Sequence, residues 1–145
     1  MDVSLSPADL PQQLTLQCSQ FARMAARTAQ VGVSSVSWRV AATLQRRGPL
    51  RLSEIAERER VTRSTATAVI QRLEEEGLVE RAPDPTDSRS WLVSLTPAGD
   101  EQLAAWRSQM AERVGPLLDQ LPDADRDTLA RATEILADLV EIHDA

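Results

Sequence analysis

The chain has 145 residues, 42% of them hydrophobic, and a net charge of −6, the size and composition of one domain that can bury its own core. No apolar run is long enough to span a bilayer and no charged start leads into an apolar segment, so a cytosolic protein without a membrane partner is expected. A single cysteine, Cys18, and a single histidine, His143, exclude an internal disulfide, leave a zinc site short of ligands and argue against histidine-based acid–base catalysis; no metal, cofactor or enzymatic role is expected.

From Asp9 to about Gln30, Leu10, Leu14, Cys18, Phe21, Ala25 and Thr28 fall near one face of a helix, with Met24 beside them. Gly32 interrupts, and Ser34 or Ser35 can cap a second helix that carries Trp38, Val40, Ala41 and Leu44 and stops at Gly48 and Pro49. Leu50 to Leu52 is too short to be a free strand and needs a hairpin to pair with. Ser53 is expected to cap a short helix through Glu59, with Ile55 and Ala56 inward.

A turn at Arg60 to Thr62 leads into the most informative segment. Thr62 can cap a helix in which Ala66, Val69, Ile70 and Leu73 form one buried stripe, and Gly77 ends it. Helix, short turn, helix is a helix-turn-helix. The opposite face of the second helix carries Ser64, Thr67, Ala68, Gln71 and Arg72. Small or hydrogen-bonding side chains with a cation beside them suit a helix lying close to base edges in a DNA major groove.

Beyond Gly77, LVERA and RSWLVSL are rich in strand-forming residues and are separated by the turn formers PDPTDS. A hairpin follows. Trp91, Val93 and Leu95 alternate, so one face of the returning strand can pack while Arg89 sits near the exposed turn. Thr96 and Pro97 start a helix with Leu103, Trp106, Met110, Val114, Leu117 and Leu118 that runs to about Gln120. A last helix, from Asp123 to about Ile142, spaces Leu129, Ala132, Leu136, Leu139 and Val140 nearly as heptads.

A helix followed directly by a hairpin and another helix is a winged helix. The expected fold class is mainly α with a small β-wing, in a single domain: a winged helix-turn-helix lobe over about residues 34–96, flanked by helices over about residues 9–31 and 97–145. A monomer would leave those flanking helices with long, one-sided apolar surfaces, so a homodimer is expected through them.

The charge is unevenly spread. Residues 39–91 hold ten arginines against nine acids, and residues 100–145 hold four arginines against eleven. An acidic body attached to a locally basic head is compatible with binding phosphates at the head.

The stretch VTRSTATAVIQRLEEEGLVERAPDPTDSRSWLVSLTPAG, residues 61–99, resembles the DNA-binding core of the MarR family of transcriptional regulators. The match lies in STAT at the start of the recognition helix, RLEEEGLVER, the Asp87 and Arg89 pair, and SLTPAG; at the two ends it is a likeness of pattern only. The resemblance implies a homodimeric repressor that binds a pseudo-palindromic double-stranded DNA operator and is released by a small-molecule effector. It assigns base and phosphate contacts to Ser64, Thr65, Thr67, Ala68, Gln71 and Arg72, a phosphate contact to Arg63, and minor-groove entry to Arg89, whose guanidinium Asp87 would hold in a bidentate pair. Ala68 departs from the family, which often has a larger polar or basic residue there. Arg81 is expected to touch phosphate or to pair with Asp84 or Asp87.

For the effector, Trp38 and Arg39 are the first candidates, with Arg23, Met24 and Arg27 behind them, against the plainer reading of Trp38 as core and Arg39 as half of an ion pair. Cys18 could be a redox sensor, as in relatives with a reactive thiol in the first helix. A chain without tyrosine lacks the usual donors for such a thiol, which favours a buried, inert cysteine. The alternative to a regulator is a winged-helix protein-interaction module that no longer binds DNA.

Overall fold

The computed structural model describes residues 5–29 and 35–144. Along them run α1 (Leu10–Ala29), α2 (Ser35–Arg47), β1 (Leu50–Arg51), α3 (Leu52–Arg58), α4 (Arg63–Glu75), β2 (Val79–Asp84), β3 (Asp87–Leu95), α5 (Pro97–Asp119) and α6 (Asp123–Asp144). The mainly helical chain with a small sheet matches the expected fold class. The expected break at Gly32 and the capping side chain of Ser34 or Ser35 lie outside the described residues.

The sheet is antiparallel in the order β1-β3-β2. Leu50 and Arg51 pair with Val93 and Leu92, so the short segment before α3 does complete the hairpin. On the other side β2 runs against β3 from Val79↔Leu95 to Pro83↔Trp91, and the register shifts between Pro83 and Asp84. Gly77, at φ +75°, adopts the left-handed turn that stops α4 and releases the chain into β2.

One core joins the lobe to α5. Val40 and Leu44 of α2, Ile55 of α3, Ile70 and Leu73 of α4, Val93 of β3 and Leu103 of α5 are each no more than 2% exposed. Trp38 and Trp106 close it from the side, their ring centroids 6.0 Å apart. The α5 N-terminus is fastened to the end of α4: Thr96 donates its backbone N–H to Leu78 O at 3.0 Å and its hydroxyl to Gly77 O at 2.7 Å.

Three expectations are corrected. Helix α3 begins at Leu52 with Arg51 as its cap residue, not Ser53, because the Glu54 carboxylate accepts the Arg51 N–H at 2.7 Å. Trp91 does not pack with Val93; it stands 55% exposed, since β3 runs on past the edge of the core. Cys18 is exposed rather than buried, because within one chain the α1 face that carries Leu14 and Phe21, both exposed, has nothing against it there. Helix α6 likewise buries no residue.

Candidate nucleic-acid interface

Helix α4 is set by its cap. The Thr62 hydroxyl oxygen accepts the Thr65 N–H at 3.1 Å, lies 2.9 Å from the Thr65 hydroxyl and 3.0 Å from that of Ser64, and so organises the first turn. With Ala66, Ile70 and Leu73 buried, Arg63, Ser64, Thr65, Thr67, Ala68, Gln71 and Arg72 are all exposed. Thr67 donates its hydroxyl hydrogen to Arg63 O at 2.8 Å, leaving a methyl group and an acceptor lone pair facing outward. Gln71 and Arg72 reach Glu75 and Glu76 only at 3.4 Å, weak contacts that a better partner can replace.

The wing is held by carboxylates used differently from expectation. Asp87 accepts the backbone N–H of Arg89 at 3.0 Å and the Ser90 hydroxyl at 3.1 Å; it shapes the turn instead of gripping the guanidinium. Arg89 is exposed, and neither it nor Arg63 forms an ion pair among the described residues. Arg81 pairs with Glu74 of α4 at 2.7 Å, not with Asp84 or Asp87, and so ties the hairpin to the recognition helix.

Asp84 has another partner, one that sequence reasoning missed. Its carboxylate is nearly buried and accepts Arg51 Nε at 2.6 Å, the Thr86 N–H at 2.9 Å and the Thr86 hydroxyl at 2.8 Å. Arg51 also donates to the Thr86 hydroxyl oxygen at 3.1 Å. The wing turn is thereby clamped to β1. The turn half of this cluster was readable from Asp-Pro-Thr; the Arg51 half crosses 33 positions of sequence and leaves no local signal.

The Thr86 N–H and then its hydroxyl hold the Asp84 carboxyl below the usual carboxylate range, with Arg51 adding to the effect against the opposing push of burial. A carboxyl lowered in the folded chain takes up its proton more readily when unfolded, so its contribution is present above the ordinary carboxylate pKa and lost as pH falls. Wing-turn amides are therefore expected to stay protected at neutral pH and to open below about pH 4. Asp84→Asn should speed their hydrogen exchange already at pH 7; exchange as slow as in the parent would remove Asp84 from this role.

The candidate effector residues lie on α1 and α2. Arg39 pairs with Glu59 at 3.0 Å, where Thr43 donates to the same carboxylate at 2.6 Å, and Trp38 stacks on Trp106. Arg23 and Arg27 are exposed on α1 and Met24 is half-buried. Two recesses on the lobe lie beside α4 and the wing, with Arg81 and Trp91 common to both. Among the described residues no cluster suited to a metal ion occurs and no helix is long and apolar enough to cross a membrane.

Residues 33–91 match the MarR family. An uncharacterised HTH-type transcriptional regulator of Mycobacterium leprae is 33% identical over 94% of this chain and 96% of its own length. The HTH-type transcriptional repressor MdtR of Bacillus subtilis is 37% identical over 61% of this chain and 60% of its own. Among solved structures, a variant of S. aureus MepR bound to an oligodeoxyribonucleotide superposes with a TM-score of 0.59 at 22% identity, over 94% of this chain and 99% of that one.

Proposed function

Because this chain belongs to the MarR family of transcriptional regulators, we propose that it acts in the cytoplasm as a homodimeric repressor that binds a pseudo-palindromic operator and is released by a small-molecule effector. The observation that carries DNA binding is the exposed face of α4, lined by Ser64, Thr67, Ala68 and Gln71, beside a wing whose Arg89 has no ion-pair partner among the described residues. On this reading Gln71 and Ser64 read base edges, Arg63, Thr65 and Arg72 hold phosphates, Ala68 touches a thymine methyl, and Arg89 enters the minor groove while Asp87 keeps the turn in shape. Repression is in keeping with the name of the B. subtilis relative.

Dimerisation is supported by the bare faces: Leu10, Leu14 and Phe21 of α1 and Leu129, Leu139 and Val140 of α6 are each at least 36% exposed. Covering them with a second copy would also bury Cys18, leaving it inert. It would set two recognition helices about 34–36 Å apart, one helical turn of DNA. An effector seated near Trp38, Arg39, Arg23, Met24 or Arg27 would change that spacing by shifting the lobe against the dimer helices.

Two measurements test this. Sedimentation at micromolar concentration is expected to give twice the chain mass; one chain mass alone would refute the dimer. A gel shift with the duplex flanking the protein's own gene is expected to show a salt-sensitive complex. A folded dimer that shifts no duplex would favour the protein-interaction module.

A further inference from the structure

The winged lobe hides its large apolar side chains with one exception. Among the described residues, the exposed large hydrophobics belong to α1 and the segment before it, to Leu117 of α5 and to α6, apart from Trp91. Those of α1 and α6 are accounted for by the proposed dimer. Trp91 is not, because it lies on the hairpin, outside those two helices.

Its placement follows from strand geometry. Trp91 and Val93 are spaced by two along β3, so their side chains leave the same face; Arg89 lies in the bulged stretch where the register with β2 shifts, and lines the same recess as they do. Val93 is buried beneath α4 with Ile70, and the strand carries Trp91 beyond the core's edge. The indole lines one recess together with Gln71 and Glu74 of α4, and another together with Arg63, Arg89 and Ser90. It thus stands between the side chain expected in the major groove and the one expected in the minor groove.

Two adjacent grooves of a duplex are separated by one sugar–phosphate strand. Given the function proposed above, with α4 in the major groove and Arg89 in the minor, that strand must pass between Gln71 and Arg89. We propose that Trp91 is a DNA-backbone contact: its indole face packs on a deoxyribose of the intervening strand and its ring N–H donates to the neighbouring phosphate. The chemistry fits both halves. A sugar offers an apolar face that a large flat ring can cover, and indole is a donor without an acceptor lone pair, so it meets a phosphate without repulsion. The unpaired cations Arg63 and Arg89 on the same side draw a phosphate strand to this position. Such a contact raises affinity without reading sequence.

Trp38 and Trp106 pack together against the core, Trp106 buried and Trp38 partly buried, so the part of a change in tryptophan emission on adding DNA that Trp91→Phe removes reports Trp91. The full chain is titrated with two duplexes of equal length, one recovered by selection from a random library on this protein and one unrelated, the latter at low salt. Saturation with either is expected to quench or shift the emission, and Trp91→Phe is expected to abolish that change. Trp91→Ala should weaken binding of both duplexes about tenfold, Trp91→Phe by less, with unchanged melting temperature and an unchanged slope of log Kd against log salt, since no charge is removed. If the parent binds DNA but its emission stays constant and Trp91→Ala binds as tightly, the contact is wrong while the regulator reading stands. A changed order of preference among sequences would make Trp91 a base reader and overturn the backbone contact. Failure of the parent to bind any selected duplex would overturn both.

Discussion

Arg89→Ala is expected to weaken operator binding by about 1–3 kcal/mol and to lower the salt slope by about one, with the fold unchanged. The fold should survive because Arg89 is exposed at the wing and contributes nothing to the core. Its turn is shaped by Asp87 through the Arg89 backbone N–H, a bond that alanine keeps. Affinity should fall because, among the described residues, the guanidinium has no ion pair to give up on binding, so entering the electronegative minor groove costs little beyond side-chain entropy. Asp87→Ala should do part of the same damage by a different route, loosening the turn rather than removing the charge. Equal affinity of Arg89→Ala and parent at matched salt would rule the minor-groove role out.

Gly99→Ala should destabilise the whole domain by about 1–3 kcal/mol or more. The first turn of α5 lies so close to the end of α4 that a Cβ at Gly99 would come 2.2 Å from Leu78 O and 2.6 Å from Leu95 Cδ1. Leu95 could rotate aside. The Leu78 carbonyl could not, because it accepts the Thr96 N–H at 3.0 Å and belongs to the joint between recognition helix and wing. A lowered denaturant midpoint with unchanged m-value is the expected result. An unchanged midpoint would mean that α5 can slide on the lobe.

What the sequence disclosed was set by local chemistry. Thr62, Gly77 and Thr96 punctuate helices through bonds within a few residues of themselves, and each boundary lies where its residue type places it. The buried stripe of α4 followed from helical periodicity in the same way. Where partners are distant the reading went astray. Arg81 finds Glu74 and Arg51 finds Asp84 because the sheet folds over the helices, and choosing among several nearby acids requires that geometry. Alternation correctly gave Trp91 the same face as Val93, but period alone cannot tell how far a strand overhangs its core. The recognition-face residues lie together on α4 as expected. The five effector candidates lie on two helices, three of them on α1, and of the two on α2 Arg39 is engaged with Glu59. The Arg51-x-x-Glu54 spacing did carry a signal for the start of α3, outweighed by the better-known capping preference of Ser53.

Near its far end, α6 returns to the lobe: Asp144 pairs with Arg46 at 2.9 Å and Arg47 at 2.8 Å in the last turn of α2. Burial works against its charged form, yet the hydrogen bond from Arg47 and the charges of Arg46 and Arg47 keep the carboxyl below the usual range. The lobe is therefore attached to α5 by the shared core and the α5 start, and to α6 by this ion pair as a second joint. Since the Arg46 guanidinium is about half exposed, salt screens the second joint. Rising ionic strength thus acts on the chain mechanically, freeing the far end of α6 from α2 while the shared core keeps α5 on the lobe, independently of its effect on any phosphate contact.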